Sequence, residues 1–147
     1  IGSGNKMEWL KLKVNQKKLK NFTFLNPMPR SDQEKFLNAA DVVISALING
    51  MEGVSVPSRM YNIFSAGKPI LGIGDNNAEL AYVLNENKIG WNYPPGNAQD
   101  VIKMINNINR DKKELPVMGK RARQLAVSKY SQEQVLDIYL QHFYKLI

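Results

Sequence analysis

Residues 41–73 read DVVISALINGMEGVSVPSRMYNIFSAGKPILGI, and the succession of patterns in this stretch decides the fold. Val42 to Leu47 is apolar on nearly every residue. A strand that faced water on one side would alternate, so the unbroken run predicts a strand covered by helices on both faces. Ile48 to Val56 contains Asn49, Gly50, Glu52, Gly53 and Ser55 and reads as a loop. Pro57 suits a first helical turn, where its missing N–H costs nothing. The helix it opens runs through Tyr61 and Phe64 and stops at Gly67, with Pro69 just beyond. Ile70-Leu71-Gly72-Ile73 is then a second buried strand.

Outward from this stretch the same alternation continues. Ile1-Gly2-Ser3-Gly4 reads as the tail of a strand running into a turn, so the chain is expected to begin inside a fold, N-terminally truncated. Met7, Leu10 and Val14 recur at helical spacing, and Phe22 to Leu25 is a short apolar run. Ser31 and Glu34 form a capping-box pair before a helix that turns Phe36, Leu37 and Ala40 inward. Downstream, Leu80, Ala81 and Leu84 mark a helix, and Ile89 to Trp91 a short strand. Beyond Pro94-Pro95-Gly96 the pattern turns helical over about 97–147. Asn97 is a cap for Val101, Ile105 and Ile108, and Ser131 with Gln134 opens a last helix bearing Leu136, Tyr139, Leu140, Phe143 and Ile147. Buried strands alternating with helices predict an α/β fold with a doubly wound parallel sheet, Rossmann-like, in one domain over 1–147. Ligands of such sheets bind beyond the carboxyl ends of the strands, which puts weight on the loop after Leu47 and the turn after Ile1.

Composition narrows the chemistry. The chain has 147 residues, room for one domain with a real core. It has no cysteine, which rules out disulfides and thiolate metal sites and fits a reducing compartment. Its only histidine, His142, lies in a helical pattern, so a His-based zinc site or a Ser-His-Asp triad lacks its parts. No apolar run reaches the roughly 20 residues of a membrane helix. Net charge is +7. Lys6, Lys11, Lys13, Lys17, Lys18 and Lys20 face only Glu8, and a second basic group runs from Arg110 to Lys129. Such patches suit phosphate, anionic lipid or nucleic acid, and equally a plain solvated helix face. The basic residues are not interleaved with aromatics, and no nucleic-acid-binding motif is present, so no nucleic-acid partner is expected.

The segment richest in chemistry is Glu52 to Asn62, closed by Ser65-Ala66-Gly67-Lys68-Pro69. A glycine-bearing loop feeding a helix start offers unpaired N–H groups to an anion. Ser58 adds a hydroxyl and Arg59 a fixed positive charge, both suited to a diphosphate. Asn62 is a poor helix-interior residue whose amide suits a sugar hydroxyl. On residue types alone, Glu52 and Arg59 also fit ordinary surface charges.

This segment resembles the signature of family 4 glycosyltransferases of the GT-B fold, E-G-F-G-x-x-x-x-E followed by A-x-G-x-P. Pro57-Ser58-Arg59 with Ala66-Gly67-Lys68-Pro69 is similar to the P-S-K branch of surface-polysaccharide transferases. Phe24-Leu25-Asn26 resembles the family's F-L-G, Ala39-Ala40-Asp41-Val42 its A-A-D-V, and Gly2-Ser3-Gly4 its G-x-G. The likeness covers nearly the whole chain. It implies the C-terminal, donor-binding domain of a GT-B enzyme, taking a hexose-type sugar from a UDP- or GDP-linked donor to a surface-glycan or lipid-linked acceptor with retention. No cofactor and no metal are implied. Leu25, Asn26 and Pro27 would border the base and Asn62 the ribose. Gly2, Ser3, Val54, Ser55, Ser58 and Arg59 would line the rest of the nucleotide, and Glu52 with Gly53 would face the donor sugar, Glu52 as the catalytic-site candidate. Asn62 stands where the family has glutamate, and the interval from Glu52 to Asn62 exceeds the family's. Family members also carry an Arg and a Lys upstream of the first strand that clamp the diphosphate. These are not among the 147 residues, so the chain alone is expected to transfer no sugar. The implied partners are an N-terminal acceptor-binding domain, the donor, the acceptor and peripheral contact with a membrane, in the cytoplasm at its inner face. Two other readings stay open: a sugar-nucleotide epimerase of the same architecture, which needs more acid/base groups than the single Glu52, and a non-catalytic α/β module.

Overall fold

The computed structural model describes residues 1–145, so Ile147, expected on the last helix, lies outside the described residues. Contacts divide the chain into two units, Ile1–Phe36 and Leu37 onward.

In the first unit, helix α1 spans Met7–Gln16 and buries Val14. The short apolar run Phe22 to Leu25 forms no strand. Neither does Ile1, although the Gly2 N–H donates to the Leu25 carbonyl at 3.1 Å. One bond fixes the two segments side by side without making a ladder. Ser31 does not cap. It lies in a 3-10 turn, Arg30–Asp32, and helix α2 follows at Gln33–Asn38.

The second unit is built on a parallel sheet of β1 (Val43–Ala46), β2 (Ile70–Ile73) and β3 (Gly90–Tyr93), in that order. Ile44 pairs with Leu71 and Leu71 with Trp91, while Ser45, Gly72 and Asn92 form the next row. Successive residues of a strand face opposite ways. On the Ser45–Gly72 side lie α3 (Arg59–Ser65) and α4 (Glu79–Asn87), and a Cβ at Gly72 would meet Leu84 of α4 at 3.0 Å. On the other side Ile44 and Leu71 share a cavity of about 330 Å³ with Ile105 and Ile108 of α5 (Ala98–Arg110). Helices therefore flank both faces of a parallel sheet, the α/β class expected. The crossovers through α3 and α4 follow from parallel pairing, which a short turn cannot connect.

Two expectations need correction here. Ile70 and Leu71 of the central strand are buried, but Ile44 of β1 is 59% exposed and Ala46 is also exposed. The apolar run of β1 does not mean cover on both faces, because β1 is an edge of this sheet. Nor does Pro57 open α3, whose first residue is Arg59.

The core of this unit is Met60, Phe64, Ile70, Leu71, Leu80, Leu84 and Ile89, all at 0–2% exposure. Helix α6 (Glu114–Ser128) packs against α3, and buries Leu115, Ala122, Leu125 and Ala126. Gly67, at φ +63, ends α3 in the left-handed region that glycine tolerates. A Cβ on Gly119 of α6 would collide with the Gly67 carbonyl, so the two backbones touch where no side chain fits. Asn97 caps α5 by accepting the Asp100 N–H, and Ser131 caps α7 (Gln132–Tyr144) by accepting the Gln134 N–H, both as expected. Helix α7 buries no residue.

Candidate functional site

The residues singled out by sequence fall into two groups, one in each unit. In the first, Gly2, Ser3, Leu25, Asn26 and Pro27 all line one cavity of about 350 Å³, together with Gly4, Met7, Glu8, Lys11 and Phe24. The cavity exists because the bond from Gly2 to Leu25 holds two irregular segments together against the first turn of α1. Its polar wall is supplied by backbone, by Ser3 and Asn26, and by the Glu8–Lys11 ion pair at 2.8 Å. Glu8 and Lys11 escaped the sequence reading, which treated them as part of a charged helix face. They lie one turn apart on α1, a spacing that brings both to the same side.

The second group lies on the loop between β1 and α3 and on α3 itself. Gly50 at φ +78 and Gly53 at φ +68 let the loop double back before the helix. Glu52, Gly53 and Val54 are exposed at its tip. Met60, Ile63 and Phe64 turn inward, which leaves Ser58, Arg59 and Asn62 on the solvent side of α3. Ser58 and Asn62 are one turn apart, so their side chains are neighbours. The Met60 and Tyr61 N–H groups donate to Pro57 and Ser58 carbonyls at 2.9 and 3.3 Å, while those of Ser58 and Arg59 have no protein acceptor among the described residues. The Ser58 hydroxyl makes no capping bond. A hydroxyl, a guanidinium and an amide therefore share one exposed patch, next to two unpaired N–H groups. This is a set of donors suited to an oxygen-rich anion.

Behind the patch, Tyr61 packs edge-on to Phe64 and tilted against Tyr130, with centroids 6.5 and 5.0 Å apart. Burial pushes the Tyr61 phenol above its ordinary range, helped by Tyr130 and by the negative charge of Glu79. It remains a neutral donor at physiological pH.

The loop after β2 supplies what the sequence reading missed. The Gly50 N–H donates to Asp75 Oδ2 at 3.0 Å. The Asn92 amide on β3 donates to the Gly74 carbonyl at 3.0 Å, while its Oδ1 is buried without a partner. No signal in the sequence links residues 25 apart in this way. Among the described residues, no group of histidine and carboxylate side chains has the makings of a metal site.

Residues 1–125 match the family described as glycosyl transferases group 1. The chain belongs to that family. It is also 31% identical over 108 residues to a protein of Pseudomonas aeruginosa named probable glycosyltransferase WbjE, a match that takes in 74% of this chain. The chain spans 27% of that relative's length. The family match, over residues 1–125, takes in both groups of site residues and ends within α6. The family and the α/β fold agree with a Rossmann-like C-terminal domain of the GT-B fold. Among the described residues, no helix is long and apolar enough to cross a membrane.

Proposed function

We propose that this chain is the donor-binding domain of a retaining, family 4 glycosyltransferase of the P-S-K branch. The full enzyme moves a hexose-type sugar from a UDP- or GDP-linked donor to a surface-glycan or lipid-linked acceptor, which a separate acceptor-binding domain holds. The observation that carries this reading is the convergence of Gly2, Ser3, Leu25, Asn26 and Pro27 on one cavity of about 350 Å³, which has room for a nucleobase. The second support is the shared exposure of Ser58, Arg59 and Asn62 on α3.

In this proposal the cavity takes the base through backbone groups and Asn26. Asn62 bonds ribose hydroxyls. Arg59, Ser58 and the free N–H groups neutralise the diphosphate as it departs, where developing negative charge gains most from fixed donors. Glu52 and Gly53 meet the donor sugar. Helix α3 has only seven residues, so Arg59 carries more of the burden than the helix dipole.

Titration with UDP and GDP, followed by amide NMR, tests the reading. One nucleotide is expected to shift Leu25, Asn26, Ser58 and Asn62 together, and Asn62→Ala to weaken it. If neither nucleotide binds at millimolar concentration to a longer chain that includes the upstream cations, the donor-site reading fails.

Peripheral attachment to the inner face of an anionic membrane is part of the proposal. Trp9 and Leu12 are 57% and 54% exposed on α1, opposite buried Val14 and amid the lysines of that helix. An apolar tip ringed by cations suits an anionic bilayer surface. Affinity for phosphatidylglycerol vesicles, read by sedimentation, should fall roughly fivefold for each lysine neutralised to glutamine. Binding equal to that on phosphatidylcholine vesicles would sink the idea.

A further inference from the structure

We infer that Asp75 is a positioning residue that sets where the loop bearing Glu52 stands at the carboxyl end of the sheet. The inference rests on the donor-site reading of that loop.

Asp75 belongs to the rigid side of the pair. The last rungs of the sheet, Leu47 N–H to the Ile73 carbonyl at 2.8 Å and Gly74 N–H to the Tyr93 carbonyl at 3.0 Å, end one residue before it. The Gly74 carbonyl is held by Asn92, and the Asp75 carbonyl accepts the Ala78 N–H at 3.0 Å. The backbone of Asp75 is thus fixed on both sides.

The loop has no such framework. Within residues 48–56 the internal bonds are those from the Val54 and Ser55 N–H groups to the Met51 carbonyl, both at 3.1 Å. Ile48 and Val54 are 79% and 75% exposed, so apolar packing does little to hold it. Among the described residues, the bond from Gly50 to Asp75 is the one hydrogen bond that ties these nine residues to another part of the protein. It is charge-assisted, the stronger kind. It acts two residues before Glu52, in a loop whose left-handed glycines at 50 and 53 leave many other shapes open. Cutting it frees the loop without touching the core, and misplacement of a reacting group by an ångström costs a transferase far more in rate than in stability.

The test uses the full-length enzyme with a saturating acceptor and a varied donor. Asp75→Ala is expected to lower kcat/KM for the donor about tenfold or more, with most of the loss in kcat and little change in melting temperature. Asp75→Asn keeps an oxygen that accepts the same N–H and should stay within about threefold of wild type. In a Glu52→Gln background, adding Asp75→Ala should cost less than about twofold further, because both act through one loop. Hydrogen exchange of the unaltered enzyme supplies a reading that needs no variant: the Gly50 amide should exchange several-fold more slowly than that of Gly53. A harmful Glu52→Gln beside a neutral Asp75→Ala overturns this inference alone, as do an asparagine no better than alanine or equal exchange at Gly50 and Gly53. A harmless Glu52→Gln overturns the donor role of the loop, and this inference with it.

Discussion

Helix α3 has two faces that answer to different demands. Met60, Ile63 and Phe64 point inward and are 0–4% exposed, while Ser58, Arg59 and Asn62 point outward into solvent. At the C-terminal end of α3 the backbone meets α6 so closely that no side chain fits at Gly119, while Gly67 is favoured by its left-handed φ of +63. The outer face makes no hydrogen bond through its side chains to the rest of the described protein. In seven residues the helix separates what holds it from what it offers a ligand. A site built this way is stiff in position and free in chemistry.

The largest effect that probes this contrast belongs to the inner face. Phe64 is fully buried and stacks on Tyr130 at 6.3 Å, so Phe64→Ala should cost about 3–5 kcal/mol in chemical denaturation. A loss below about 1 kcal/mol would mean that α3 is not anchored by its buried side. Gly119→Ala comes next. Its added carbon collides with a backbone carbonyl rather than a side chain that can swing away, so α3 and α6 must part, at about 1–3 kcal/mol.

The outer face should respond in the opposite way. Arg59→Ala and Asn62→Ala are each expected to leave stability within about 0.5 kcal/mol, as surface changes usually do. Nucleotide affinity, measured by calorimetry, should fall about tenfold or more for Arg59→Ala and roughly two- to tenfold for Asn62→Ala, a charged against a neutral hydrogen-bonding partner. If either variant lost stability and kept affinity, the division between the faces would be wrong.

The sequence carried the class of the fold because parallel pairing leaves an unmistakable rhythm, and β2, α4 and the caps at Asn97 and Ser131 stand where that rhythm puts them. It did not carry the difference between β1 and β2. Both read as unbroken apolar runs, yet Ile44 is largely exposed while its partner in register, Leu71, is buried, because sheet position depends on which strands lie alongside. The apolar run Phe22 to Leu25 forms no strand for a related reason: such a run needs a paired neighbour, and Gly2 supplies a single bond. Of the candidate site, the glycine loop and the polar face of α3 were legible as local patterns. Asp75 was not, since a bond across 25 residues leaves no trace in spacing. The Glu8–Lys11 pair was visible as charge, but its place on a cavity wall was not.

The smallest expected effect concerns a tie near the other end of the sheet. Lys112 Nζ lies 2.7 Å from Asp41 Oδ2, joining the approach to β1, two residues before it, to the turn after α5. The Lys112 ammonium, by hydrogen bond and by charge, holds the Asp41 carboxyl below its usual 3.8. A carboxyl whose folded pKa lies below its unfolded value binds fewer protons when folded. It therefore stabilises the protein above the unfolded pKa and loses that contribution as pH falls through the folded one. Lys112→Ala should thus lower the melting temperature slightly at pH 7, and the difference from wild type should shrink below about pH 3.8 and then vanish. Both side chains are more than half exposed, so 1 M salt should also erase most of it. A difference that persisted at pH 2 would show that Lys112 acts through its aliphatic stem, which lines the apolar cavity beside Ile105 and Ile108, rather than through its charge.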